Sequence, residues 1–166
     1  FGEREPGSEF LQGLAVDAEV VVEAITGEAG WEFGLVLQQD EARYYSIEVD
    51  DDGLWRVSAV ESGERRLIRN WADHPAIIAG ESDFKLGALV RPQGFDVFYN
   101  DRLIGQISDD ELTDAGQVGM AIATTSALDS TVNAVIESLT ITTPRETEDG
   151  YLFPTTLIMG DTTQVI

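Results

Sequence analysis

Residues 43–60 read RYYSIEVDDDGLWRVSAV, two runs of alternating apolar and polar residues on either side of an acidic turn. The apolar positions recur at every second residue: Tyr45, Ile47 and Val49, then Trp55, Val57 and Ala59. A period of two is typical of a strand that buries one face. Gly53 supplies the positive φ that a tight turn requires. The stretch therefore predicts a β-hairpin, and the alternation that continues on both sides of it predicts an all-β protein.

The same alternation predicts ten strands, at residues 14–26, 31–39, 43–50, 54–60, 65–71, 83–91, 94–100, 102–108, 116–124 and 132–142. The turn sequences ESGE (61–64) and YNDRL (99–103) predict two further hairpins, because Gly, Asn and Asp tolerate positive φ. SDDELTDAG (108–116) could hold one helical turn. Ten antiparallel strands that each bury one face predict two packed sheets.

Length and composition indicate one domain without covalent or zinc cross-links. The 166 residues include no cysteine, which excludes disulfides and thiolate metal sites, and His74 is the single histidine. No run approaches the roughly 18 apolar residues that span a bilayer, so we expect no membrane insertion. A start at Phe1 rather than Met is expected of a piece trimmed from a longer protein.

The charge of the chain is strongly acidic, with a formal net charge of -21 and Lys85 as the single lysine beside nine arginines. Nucleic acid is a poor partner, because binding to phosphates needs clustered Lys and Arg side chains. The one cluster, Arg65, Arg66 and Arg69, is predicted to be a solvated face that balances nearby acids. An acidic surface suits an extracellular or cell-surface protein, which is the expected location.

The C-terminal residues 144–166 differ from the rest of the chain. Pro144 and the acidic run ETED (146–149) read as a short linker, and YLFPTTLIMG (151–160) is apolar again. We expect domain boundaries at 1–143 for the sandwich and 144–166 for an extension that packs on the sandwich or on a neighbouring chain. Strand or tail exchange of this kind would also make a homo-oligomer.

The order of these motifs resembles the concanavalin A-like lectin/glucanase superfamily, and within it laminin-G-like and 3-keto-disaccharide-hydrolase-like domains. The resemblance rests on the YY strand before the acidic hairpin, on FYNDRLIG (98–105), GQVGMAIA (116–123) and IESLTI (136–141), and it covers roughly residues 14–142. It implies an antiparallel two-sheet jelly roll. The superfamily includes lectins, glycosidases and adhesion modules, so the resemblance implies a fold and leaves activity open. Asp101 stands where glycine is usual, which bears on the turn type alone.

Calcium is the ion that the acidic loops favour, although no motif requires a cofactor. Glu48, Asp50, Asp52 and Gly53 follow the first half of an EF-hand loop, but Ala59 replaces the bidentate Glu and strands replace the helices. The resemblance leaves open a looser calcium site of the laminin-G kind, built from carboxylates of loops distant in sequence. Its candidate ligands are Asp50, Asp51, Asp52 and Asp73.

A glycoside or keto-sugar hydrolase is the alternative function. Jelly-roll glucanases carry a Glu-x-Asp-x-Glu strand, and EVDDD (48–52) resembles it with Asp52 in place of the last Glu. Retaining hydrolysis needs carboxyl groups about 5–5.5 Å apart, whereas residues four apart on a strand begin about 13 Å apart. We expect Asp51 and Asp52 to face water at a hairpin tip. No serine, histidine and acid constellation is legible around His74, and the keto-sugar hydrolase likeness assigns no catalytic residue.

Aromatic side chains are the candidates for sugar binding, since their ring faces stack on apolar sugar faces. The candidates are Trp31, Trp71, Tyr44 and Tyr99. Tyr44 is out of phase with Tyr45 and Ile47, which predicts an outward ring, while Trp55 is in phase with the core. The sequence thus favours a non-catalytic module that recognises carbohydrate or a surface partner, with a hydrolase and a structural assembly module as alternatives.

Overall fold

The computed structural model describes residues 16–27, 29–38, 40, 42–91, 93–109, 117–125, 130–142, 145–147, 150–152, 157–159 and 163–165. These residues form strands β1 (Val16–Gly27), β2 (Trp31–Gln38), β3 (Arg43–Asp50), β4 (Leu54–Glu61), β5 (Glu64–Asp73), β6 (Phe84–Arg91), β7 (Gly94–Tyr99), β8 (Arg102–Ile107), β9 (Gln117–Thr124), β10 (Val132–Thr142), β11 (Arg145–Thr147), β12 (Gly150–Leu152), β13 (Leu157–Met159) and β14 (Thr163–Val165). Over these ranges the chain contains no helix long and apolar enough to cross a membrane.

The strands form two large antiparallel sheets. One has five strands in the order β5-β4-β3-β2-β9, and the other has the order β10-β1-β6-β7-β8, with β13 and β14 both paired to β10. The pairing β1 with β10 joins strands far apart in sequence, as does β2 with β9. Such non-local pairing between the two halves of the chain is what a jelly roll requires.

The core lies between the two sheets and is filled by inward-facing residues of β1 to β4 and β6 to β10, with the partly buried Ile68 of β5 packed against it. Phe84 is central to it, with its ring stacked on Trp31 at 5.8 Å and on Tyr99 at 5.3 Å between centroids. Trp55 is fully buried and reaches across to β8, where a Cβ on Gly105 would come within 2.2 Å of the Trp55 ring. Glycine at 105 therefore leaves the space that the Trp55 ring occupies.

The hairpin turns use the residues that the sequence places there. Asn100 and Asp101 both have positive φ, at 46° and 63°, as the central residues of a type I′ turn do. Asp101 therefore adopts the left-handed conformation in the place where glycine is usual. Gly53 also has positive φ, but it is buried, and its Cα lies against Ala79 of the loop between β5 and β6.

The prediction of an all-β, two-sheet antiparallel jelly-roll sandwich is confirmed, and all ten predicted strands are present with ends that differ by no more than two residues. Residues 110–116, which hold most of the predicted helical turn, lie outside the described residues. In the tail, the backbone of Leu157–Met159 pairs with β10 at Leu139–Ile141, and Thr163–Val165 pairs at Ala134–Ile136. The domain boundary at residue 143 stays a prediction.

Candidate functional site

The outer face of the five-stranded sheet carries polar residues from neighbouring strands in rows across the sheet. In one row, Arg56 of β4 lies opposite Glu48 of β3, which lies opposite Gly34 of β2. In the next row, Ser58 lies opposite Ser46. The period-two alternation that sends Trp55 and Val57 into the core sends these residues to the other side of the sheet.

Glu48 is the centre of a hydrogen-bonded network on this face. Its side chain is 11% exposed, and its Oε2 accepts a hydrogen bond from Arg56 Nε. Arg65 Nη1 lies 3.2 Å from Oε1 and 3.1 Å from Oε2, and Ser46 Oγ donates to Oε1 at 3.0 Å. Burial raises the pKa of Glu48, but the hydrogen bond from Arg56 and the charges of Arg56 and Arg65 outweigh it, so the pKa is lowered. Glu48 is therefore a fixed carboxylate.

Arg56 joins this network to an aromatic ring and to a second acid. Its guanidinium carbon lies 4.4 Å from the centre of the Trp71 ring, a cation–π contact. Its Nη2 also donates to Glu32 at 3.1 Å. Burial raises the pKa of Glu32, and the charge of Glu48 adds to this, against the opposing effect of Arg56. The two carboxyl groups that share Arg56 thus have pKa values shifted in opposite directions.

Small residues occupy the other side of the same face. Gly34 lies opposite Ala121 of β9, and Gly119 lies two residues along from Ala121. A Cβ on Gly119 would meet no atom within 4 Å, so there is open space above this strand. The outer face is therefore open above Gly119 of β9, whereas the Glu48 side chain fills the space beside Gly34, where a Cβ would lie 3.2 Å from Glu48 Cγ.

The four predicted sugar-binding aromatics separate into two groups. Tyr44 and Trp71 are half-buried on the outer face, with Tyr44 directly opposite Val60, in the row that also holds Arg65. Trp31 and Tyr99 lie in the core, 8% and 1% exposed. The Trp31 and Tyr99 rings are stacked on Phe84, so they offer no open face to a ligand at the surface.

The four predicted calcium ligands do not form a metal cage. Asp50 Oδ1 accepts from Leu54 N at 2.7 Å, and Asp51 Oδ1 accepts from Trp31 N at 3.3 Å, whereas Asp52 and Asp73 are exposed. Across the described ranges, no group of three or more His, Asp or Glu side chains is arranged to hold a metal ion. Calcium binding at this rim stays a prediction.

The expectation that Asp51 faces water needs correction. Asp51 is half-buried, its backbone carbonyl accepts from Gly80 N at 2.8 Å, and its own N donates to Trp31 O at 3.2 Å. These bonds fix the acidic hairpin to the start of β2 and to the loop between β5 and β6. Asp52, which the glucanase pattern would place on the strand, instead belongs to the turn after β3 ends at Asp50.

Two other sequence predictions concern basic residues. His74 forms a turn, because its Nδ1 accepts from Ala76 N at 3.1 Å and its carbonyl accepts from Ile77 N at 2.9 Å. Arg69 is not part of a solvated face: it is half-buried, with its guanidinium carbon 4.3 Å from the centre of the Trp55 ring.

Sequence reasoning missed the Glu32, Glu48, Arg56 and Arg65 network. A usable signal was present for one pair, since Glu48 and Arg56 stand four residues on either side of position 52 at the hairpin tip. Equal distance from a tight turn places two residues opposite each other on one face.

Comparison with known proteins identifies the fold. The carbohydrate-binding module CBM66 from Bacillus subtilis superposes with a TM-score of 0.59 at 18% identity, over 81% of this chain and 77% of that one. Sheep galectin-11 in complex with glycerol gives 0.54 at 15% identity, over 79% and 96%. A functionally unknown protein from Saccharomyces cerevisiae gives 0.56 at 18% identity, over 82% and 72%. No family model and no curated protein matches the sequence.

The chain therefore has the concanavalin A-like jelly-roll fold, as the sequence resemblance implied. Identities of 15–18% establish that architecture alone. What the protein binds has to be argued from its own residues.

Proposed function

We propose that this protein is a non-catalytic carbohydrate-binding module whose site is the outer face of the five-stranded sheet. The observation that carries the proposal is the arrangement of Trp71, Arg56 and Glu48, in which the Arg56 guanidinium lies over one face of the Trp71 ring and is paired with the Glu48 carboxylate. A sugar ring needs both an apolar surface for its C–H face and paired donors and acceptors for its hydroxyl groups.

The geometry of the network suits hydroxyl recognition. Arg56 and Arg65 together fix Glu48, so the polar atoms are ordered before any ligand arrives. Preorganised groups lose little conformational entropy on binding. Tyr44 and Trp71 are both half-buried on the same face of the sheet as these groups. The open space above Gly119 leaves room for a sugar chain beside these groups.

Two proteins of similar structure support this proposal. One is a carbohydrate-binding module and the other a galectin in complex with glycerol. Extracellular or cell-surface localisation belongs to the same proposal, because a strongly acidic surface suits that setting.

A glycan array tests the proposal, with the whole chain applied once with calcium chloride and once with EDTA. We expect retention of a defined set of glycans, and loss of that retention in the Trp71→Ala variant. Leu103→Ala is the matched control, since Leu103 is 48% exposed on β8 of the other sheet. If wild-type protein retains no glycan in either buffer, the proposal is wrong. Binding that depends on calcium would support the predicted calcium site at Asp50, Asp51, Asp52 and Asp73.

A hydrolase is the second candidate, because the pKa of Glu32 is raised while that of Glu48 is lowered. Two carboxyl groups with pKa values pushed apart are what an acid and a nucleophile need. However, each Glu48 oxygen already accepts two hydrogen bonds, and the residue is 9% exposed. Release of reducing sugar from an array-positive glycan, abolished in both Glu32→Gln and Glu48→Gln, would favour the hydrolase.

The third candidate is an assembly module that uses its sheet edges or its tail. The pairing of β13 and β14 with β10 is the observation that favours it, since the same edge could pair with a tail from another copy. Sedimentation of the whole chain tests self-assembly. A protein that stays monomeric at every concentration is not an assembly module, and one that also retains no glycan is not a carbohydrate-binding module either.

A further inference from the structure

A depression lies on the sheet that contains β6, β7 and β8, away from the proposed glycan face on the five-stranded sheet. It has a volume of about 460 Å³ and is formed where β6 ends, β7 begins and β8 ends. Its polar lining includes Arg91, Asp96 and Gln106. Asp96 alternates with the core residues Phe95 and Val97, so it lies on the outer face of its sheet.

The centre of this depression is a buried carboxylate. Asp96 is 8% exposed, and it accepts hydrogen bonds from Arg91 Nη2 at 2.5 Å and from Gln106 Nε2 at 3.2 Å. A carboxylate this buried is tolerated only when it is paired. Arg91 itself is 54% exposed, so the rest of its fork of five N–H donors lies at the surface of the depression.

The backbone around the depression is tightly constrained. Gly94 has a φ of 136°, and a Cβ at this position would come within 1.9 Å of the Ile107 carbonyl oxygen. The start of β7 is therefore held against the end of β8, which fixes Asp96 relative to Ser108. A rigid scaffold positions polar groups more accurately than a loop does.

From this geometry we infer that the Arg91, Asp96 and Gln106 depression is a binding site for a neutral polyol, with one sugar unit as the ligand. The charges of Arg91 and Asp96 cancel, so the site does not select an anion. Gln106 and Gln93 each bring an amide donor and an amide acceptor, and Ser108 brings a hydroxyl group. Alternating donors and acceptors are complementary to vicinal hydroxyl groups. The volume is within the range of small-molecule sites.

The site shares no residue with the proposed glycan face, so the two proposals can fail separately. The test is an NMR titration of the ¹⁵N-labelled whole chain with glucose, galactose and fructose, and in parallel with sodium glucuronate. We expect at least one neutral sugar to shift the amide signals of Gly94, Phe95 and Ser108 and the side-chain amide of Gln106. Trp71→Ala leaves these shifts unchanged.

Gln106→Ala is the decisive variant, because Gln106 is exposed on an edge strand and its loss does not threaten folding. We expect its dissociation constant to rise about tenfold, the effect of losing one good hydrogen bond. Arg91→Lys keeps the ion pair with Asp96 but removes the fork, and should weaken binding similarly. The inference is overturned if no neutral sugar shifts these signals, if glucuronate alone does, or if Gln106→Ala binds as wild type does.

Discussion

Glu48→Gln removes the charge at the centre of the outer-face network while keeping the shape of the side chain. Breaking a buried ion pair costs about 3–5 kcal/mol, whereas an exposed pair contributes about 0–1 kcal/mol. The pair with Arg56, which is 18% exposed, resembles a buried ion pair, and the pair with Arg65, which is 40% exposed, resembles an exposed one. In the variant, Arg56 still has an ion pair with Glu32 at 3.1 Å, so its charge is not left unpaired. We therefore expect the free energy of unfolding to fall by an intermediate amount, about 2 kcal/mol. For a domain of this size, that loss lowers the Tm by about 4–8 °C.

The pH dependence of this loss identifies its cause. The pKa of Glu48 is lowered in the folded state from an ordinary value of 4.5, so its charge stabilises the fold fully above 4.5. That contribution is lost as the pH falls through the folded pKa. Urea unfolding of wild type and variant should therefore show a difference that is constant near neutrality and shrinks below 4.5. Asp40→Asn, at an exposed ion pair with Arg43, is the control.

Two results would refute the reasoning about Glu48. One is a difference below about 0.5 kcal/mol at neutral pH, which is the scatter of ordinary surface substitutions. The other is a difference that grows as the pH falls, because a carboxylate with a lowered pKa cannot produce that sign.

Three further predictions concern the fold. Gly105→Ala should cost about 1–3 kcal/mol by urea unfolding, because its Cβ would overlap the buried Trp55 ring, whereas Gly119→Ala has open space and should leave the unfolding midpoint unchanged. Asp101→Gly should raise stability by up to about 1 kcal/mol by relieving the positive φ, and a lower Tm would show that its exposed ion pair matters more. Deletion of residues 144–166 removes β13 and β14 and uncovers the edge of β10, so a lower Tm with concentration-dependent self-association is expected, and an unchanged monomer would contradict it.

The sequence predicted the hairpin strands β3, β4, β7 and β8 well, because apolar residues recur at every second position in β3 and β4 and because the turns contain residues with positive φ, such as Gly53 and Asp101. It also placed Trp55 correctly, from its phase with Val57. The same rule places Trp31 in phase with Phe33, which is buried, so the core position of Trp31 was available from the pattern.

The network around Glu48 was predictable only in part. The hairpin places Glu48 opposite Arg56, because both residues lie at the same distance in sequence from the turn. The approach of Arg65 and Trp71 depends on the register of β5 against β4, which shifts at two places between Trp55 and Ser58. A shift of one residue moves a side chain to the other face of the sheet, and the sequence of β5 contains no pattern that predicts such a shift.

The charges of the outer face differ from those of the whole molecule, and this difference bears on the ligand. The chain carries a formal net charge of -21 with ten basic residues in total, yet Arg56 and Arg65 cancel the charges of Glu32 and Glu48 on this one face. An acidic molecule repels acidic polymers at long range. Within this network the guanidinium groups balance the carboxylates, so an uncharged glycan can approach the Trp71 side of the face without meeting a net repulsion from it. For the proposed glycan site, we therefore expect neutral sugars to bind in preference to sulfated or uronic acid chains.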